Sequence, residues 1–76
     1  MVRVRFYGKM RRIFGDEREM EGKTIEDILR VLEREREEVK NLREHLIFSI
    51  NGREAKVSNA VNNEDEVAIF ISPTGG

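Results

Sequence analysis

Apolar and polar residues alternate without a break in the opening stretch VRVRFY. Successive side chains of an extended chain point to opposite sides, so Val2, Val4 and Phe6 share one face and Arg3, Arg5 and Tyr7 the other. That spacing predicts a half-buried strand. The period then lengthens. In KMRRIFG, Met10, Ile13 and Phe14 fall at helical spacing and Gly15 is placed to stop the turn. EREME follows, short and ambiguous, and fits a second strand that closes a hairpin with the first.

GKTIEDILRVLERE carries the clearest pattern in the chain. Ile25, Ile28, Leu29 and Leu32 form one apolar stripe of a helix. Thr24 is an N-cap candidate, and Asp27, three residues on, approximates a capping box. Glu26 and Arg30 are four apart on the exposed side, where opposite charges attract. From Glu33 to Glu44 both signs of charge mix, which reads as a solvated helix end and connecting segment. LIFSINGREAKV is then a strand, the hairpin signal Asn51-Gly52, and a return strand. NNEDEVAIFIS is a polar turn that feeds a last strand, with Val67, Ile69 and Ile71 on one side and Ala68 and Phe70 on the other.

The order is strand, short helix, strand, main helix, hairpin, final strand. One amphipathic helix has to cover one face of a mixed four- to five-stranded sheet, since each element buries its apolar side against another. The first and last strands are the most apolar and fit central neighbours. This is an α+β chain with the β-grasp arrangement of ubiquitin, and its other sheet face is left bare.

Composition narrows the chemistry. With 76 residues there is one domain, expected over 1–71 and followed by a flexible tail over 72–76. No cysteine excludes a disulfide, a thiolate metal site and a cysteine nucleophile, and the single His45 has no second imidazole to pair with on a metal. The longest apolar run, Val67 to Ile71, is too short to span a membrane. Fourteen Lys and Arg stand against fifteen Asp and Glu, interleaved, and nucleic-acid binding calls for segregated basic charge instead. A soluble, cytoplasmic protein that binds neither membrane nor nucleic acid is expected. No Ser or Cys stands beside a base, no metal spacing appears and no glycine loop is built for phosphate. Paired acids such as Glu37-Glu38 and Glu64-Asp65-Glu66 lie in polar runs where solvent is the expected partner, and the three methionines read as core filler.

The sequence closes on ISPTGG. Gly75 and Gly76 present a carboxylate on a thread without side chains, able to pass through a narrow tunnel. Pro73 fixes its own φ and biases Ser72 toward an extended shape. The residues from Ser72 through Thr74 to Gly76 reach about 17 Å when fully extended. The group that reacts would sit at the end of an arm, its catalyst supplied by a partner.

Taken in order, VRVRFYGKMRRIFG, TIEDILRVL, INGREA and NNEDEVAIFISPTGG resemble the ubiquitin-like sulfur carriers over nearly the whole chain. The likeness is strongest to the small subunits of molybdopterin synthase. The thiamine sulfur carriers also end in Gly-Gly but usually lack the KMRRIF insert. The resemblance implies that a ubiquitin-activating-enzyme-like adenylyltransferase uses ATP to adenylate the Gly76 carboxylate, which becomes a thiocarboxylate. It implies sulfur delivery to a pterin precursor held by the large subunit of molybdopterin synthase. The carrier itself would bind no cofactor and hold no catalytic side chain. Docking would use apolar residues at the positions of Tyr7 and Phe70. Where those subunits commonly have two adjacent prolines, this chain has Ile71 and Ser72, so attachment to protein lysines or sulfur supply for transfer-RNA thiolation also stays open, as does a passive binding module.

Overall fold

A computed structural model describes residues 1–73. Expectations that rest on Thr74, Gly75 and Gly76 lie outside the described residues. In chain order the elements are β1 (Val2–Phe6), α1 (Lys9–Phe14), β2 (Glu17–Met20), α2 (Ile25–Glu35), α3 (Glu38–Leu42), a 310 turn (Arg43–His45), β3 (Leu46–Ile50), β4 (Arg53–Ala55) and β5 (Glu66–Ile71). The sheet has five strands in the order β2-β1-β5-β3-β4. β1 and β5 run parallel at its centre, with Val4 opposite Val67 and Phe6 opposite Ile69, and the other pairs are antiparallel.

The alternation of β1 translates directly into burial: Val2, Val4 and Phe6 are buried while Arg3 and Arg5 are exposed. α2 begins where the capping box places it. Thr24 Oγ1 accepts the Asp27 N–H at 3.2 Å, and Asp27 Oδ2 accepts the Thr24 N–H at 3.2 Å and the Lys23 N–H at 2.9 Å. Ile25, Ile28, Leu29 and Leu32 are fully buried against Val2, Val4, Phe6, Met20, Val67 and Ile69 of the sheet. Burying each such side chain stabilises by about 1.5–3 kcal/mol. α1 packs on the same face, where Phe14 lies 5.2 Å from the ring of Phe6. At the β3–β4 turn Asn51 and Gly52 have φ of 51° and 85°. Two positive φ values are what a tight two-residue hairpin requires, and Asn and Gly adopt them at least cost.

Glu33 to Glu44 departs from the expected connecting segment. It contains α3, and Val39 and Leu42 from that helix are buried in the core. Two apolar residues in five cannot display a helical period, and the surrounding charges hid them. The methionines also divide: Met10 and Met20 are buried, whereas Met1 is exposed. The acidic run before β5 is not simply solvated, because Asp65 accepts from Asn51 Nδ2 and from the Asn62 N–H, each at 2.8 Å.

Candidate functional site

The helices cover one face of the sheet and the described elements leave the other open. Register puts Glu17, Glu19, Arg3, Arg5, Glu66, Ala68, Ser49 and Ile47 on that open face. The face is in two parts. Toward the start of β1 it is charged, with Arg3 3.4 Å from Glu17 and Arg5 3.6 Å from Glu66. These pairs are exposed, so each contributes little to stability.

Toward the end of β5 the open face is apolar. Tyr7, just beyond β1, donates its N–H to the Ile69 carbonyl at 3.1 Å, which keeps it beside β5. Its ring lies on Phe70 with centroids 4.6 Å apart and planes 10° from parallel. Ile47 stands opposite Phe70 across the β3–β5 pair. Tyr7 and Ile47 are 38% and 37% exposed, the largest exposures among the big apolar side chains after Met1. Stacked aromatics left partly wet suit a docking surface better than a core. The sequence places Tyr7 and Phe70 on one uncovered surface, and the structure brings them into contact. It adds Ile47, which the same alternation in LIFSI would have pointed outward, between the buried Leu46 and Phe48.

Two residues after Phe70 the chain leaves the sheet. The Ser72 N–H donates to the His45 carbonyl at 2.7 Å, so the ladder continues one step past β5. Pro73 is exposed, and His45 is half-buried at this end of β3. The remaining predicted site residues, Thr74, Gly75 and Gly76, lie outside the described residues. A polar hollow bordered by Arg3, Glu19, Asn51 and Glu64 lies at the opposite end of the sheet and touches none of these groups. Among the described residues no cluster of three or more His, Cys, Asp or Glu could hold a metal ion.

The electrostatic centre lies on the helical side, and sequence spacing did not reveal it. Arg43 Nη1 and Nη2 donate to Glu26 at 3.0 and 2.6 Å, and its Nε donates to Glu33 at 2.8 Å. These bonds hold the Arg43 guanidinium above its usual range and, with Arg30 adding a smaller effect, hold the Glu26 carboxyl below its own. The expected Glu26–Arg30 pair is present at 3.2 Å, as a side branch of this cluster. Arg18 grips Glu35 with two bonds of 2.8 and 2.9 Å and lowers its pKa.

A parallel central pair, one face under helices and one open face with aromatics near the end of β5 define a ubiquitin-like β-grasp fold. The chain belongs to the ThiS family of ubiquitin-like sulfur carriers, whose model matches residues 4–76. No curated protein matches it. Among solved structures it is similar to the small archaeal modifier protein 1 of Methanosarcina acetivorans, with a TM-score of 0.84 and 19% identity over 99% of this chain and 95% of that one. The putative molybdopterin converting factor subunit 1 of Pyrococcus furiosus gives 0.70 and 20%, over 93% and 95%. The complex of subunits 1 and 2 of the molybdopterin-converting factor of Helicobacter pylori gives 0.68 and 18%, over 99% and 97%. At these identities the likeness establishes the fold.

Proposed function

We propose that the chain carries sulfur as a thiocarboxylate on Gly76 and acts as the small subunit of a molybdopterin synthase. The observation that carries this reading is the stacked Tyr7–Phe70 pair on the open face, two residues before the root of the Gly-Gly tail. A carboxylate resists nucleophiles until one oxygen becomes part of a leaving group. An activating enzyme resembling those of ubiquitin therefore joins it to AMP from ATP with release of pyrophosphate. A sulfur nucleophile then displaces AMP. The carrier contributes no catalytic side chain and binds no cofactor. It docks through Tyr7, Phe70 and Ile47 while Pro73, Thr74 and Gly75 lead Gly76 into the partner's active site. The Helicobacter pylori neighbour, in complex with a second subunit, supports a partner of that kind. No helix among the described residues is long and apolar enough to cross a membrane.

Deleting Gly75 and Gly76 tests this. The truncated chain should melt within about a degree of the parent, because the last few residues of a domain generally add little to its stability. Co-expressed with its activating enzyme, the intact chain should gain the mass of sulfur replacing oxygen, and the truncated one should gain nothing. Cofactor synthesis sustained by the truncated chain would refute the carrier reading.

A second reading, conjugation to protein lysines, is favoured by the overlap with the archaeal modifier protein. It requires the same adenylate, followed by amide formation. A ladder of covalent adducts in cells that disappears with Gly76 would select it over the first.

A further inference from the structure

The tail leaves the sheet at the Ser72–His45 hydrogen bond, and that bond is anchored to α2 by a residue far from the open face. The acceptor for Ser72 is the carbonyl of His45, the last residue of the 310 turn Arg43–His45. A 310 turn of three residues has poor internal hydrogen bonds and does not hold its own shape. Here it starts at Arg43, whose guanidinium takes Glu26 with both Nη atoms and Glu33 with Nε. Glu26 and Glu33 are seven residues apart on α2, close to two full turns, so they form one stripe on a rigid helix. The Glu33 side chain is only 11% exposed and that of Arg43 34%, so solvent screens this cluster less than it screens the pairs of the open face. The next pair inward, Leu46 opposite Ile71, lies within the regular ladder. The Ser72 step is different, because its acceptor belongs to the turn and points where the turn points.

We propose that Arg43 is a positioning residue for the tail. By clamping the turn to α2 it fixes the carbonyl that holds Ser72, and with it the direction in which Gly76 is presented. The consequence for activation rests on the carrier reading above; the clamp itself does not. Freeing one more residue at the root enlarges the space that the terminal carboxylate samples, while the docking face stays intact. The carboxylate is then out of place more often after docking, which lowers kcat and leaves KM alone, as loss of orientation does.

The test uses the full chain and three variants. In Arg43→Met, amide hydrogen exchange at Ser72 should quicken about tenfold relative to the Tyr7 amide, which bonds Ile69 in the neighbouring strand pair, since local opening and global unfolding separate in this way. Glu26→Gln keeps the helix and weakens the clamp, and should shift Ser72 the same way by less. Arg18→Met removes the other bidentate clamp on α2 and should leave Ser72 unchanged. Pyrophosphate exchange catalysed by the activating enzyme should show kcat lowered about three- to tenfold in Arg43→Met at unchanged KM. Equal acceleration of Ser72 and Tyr7, an unmoved Ser72 amide in both clamp variants, or a raised KM at unchanged kcat would overturn the proposal. Failure of the parent chain to be adenylated would instead remove the carrier reading, and the exchange ratio would still decide the clamp.

Discussion

Ile69 and Phe70 are neighbours in β5 with opposite duties. Ile69 is fully buried opposite Phe6 and Phe48, whereas Phe70 is half-buried and stacked on Tyr7. Ile69→Ala removes core volume and should cost about 2–5 kcal/mol of stability. Phe70→Ala should cost the isolated domain less, yet on the proposed function weaken binding to an activating enzyme and a large synthase subunit by about 1–3 kcal/mol, as truncation of an aromatic anchor does. Calorimetric titration and denaturant melts of the two variants check this. Unchanged affinity for both partners, or a larger folding loss at Phe70, would reverse the assignment of the faces. At this scale much was legible, because alternation in a strand leaves only two choices of side. What alternation cannot give is distance: the contact between Tyr7 and Phe70 depends on β1 and β5 being parallel neighbours in one register.

Among the elements, α2 was the most legible because its cap, stripe and i,i+4 pair agree. Leu29→Ala on the buried stripe should cost about 2–5 kcal/mol. Arg34→Ala on the exposed side should change stability by less than about 0.5 kcal/mol. Equal losses in urea melts would mean that the stripe is misassigned. Thr24→Ala should cost about 1 kcal/mol, because it strips the Asp27 N–H of its acceptor. α3 was hidden for a physical reason. Five residues are well below the length at which a helix persists by itself in water. It is helical because Val39 and Leu42 find the core and because the turn after it is tied to α2 through Arg43. Both causes are contacts distant in sequence, which no local pattern records. The same applies to Glu26, readable as the partner of Arg30 four residues on, but not as the partner of Arg43 seventeen residues on.

For the molecule as a whole, the balance of charge matters less than where the carboxylates are held. Near-equal numbers of acids and bases suggest indifference to pH, yet among the described residues three carboxyls sit below their ordinary range. Glu26 is lowered chiefly by Arg43, Glu35 by Arg18, and Asp27 by the Lys23 N–H at the cap. In the unfolded chain these groups regain ordinary values, so at acid pH the unfolded state binds more protons than the folded one. Stability therefore rises with pH where they titrate, and is lost as pH falls through the lowered values. The expected profile is flat from neutrality to about pH 5 and declines from about pH 4 downward, where unperturbed carboxylates begin to protonate. Because Glu35 is exposed and Glu26 and Asp27 are only half-buried, solvent still limits the size of the effect, and added salt should shrink it. Arg43→Met should flatten part of the decline, since Glu26 would then titrate almost alike in both states. Thermal melts from neutrality to about pH 2, at low and high salt, measure this over the whole range of carboxylate titration. A melting temperature that rises on acidification, or a decline as steep in Arg43→Met as in the parent chain, would show that the clamp does not set the acid response of the fold.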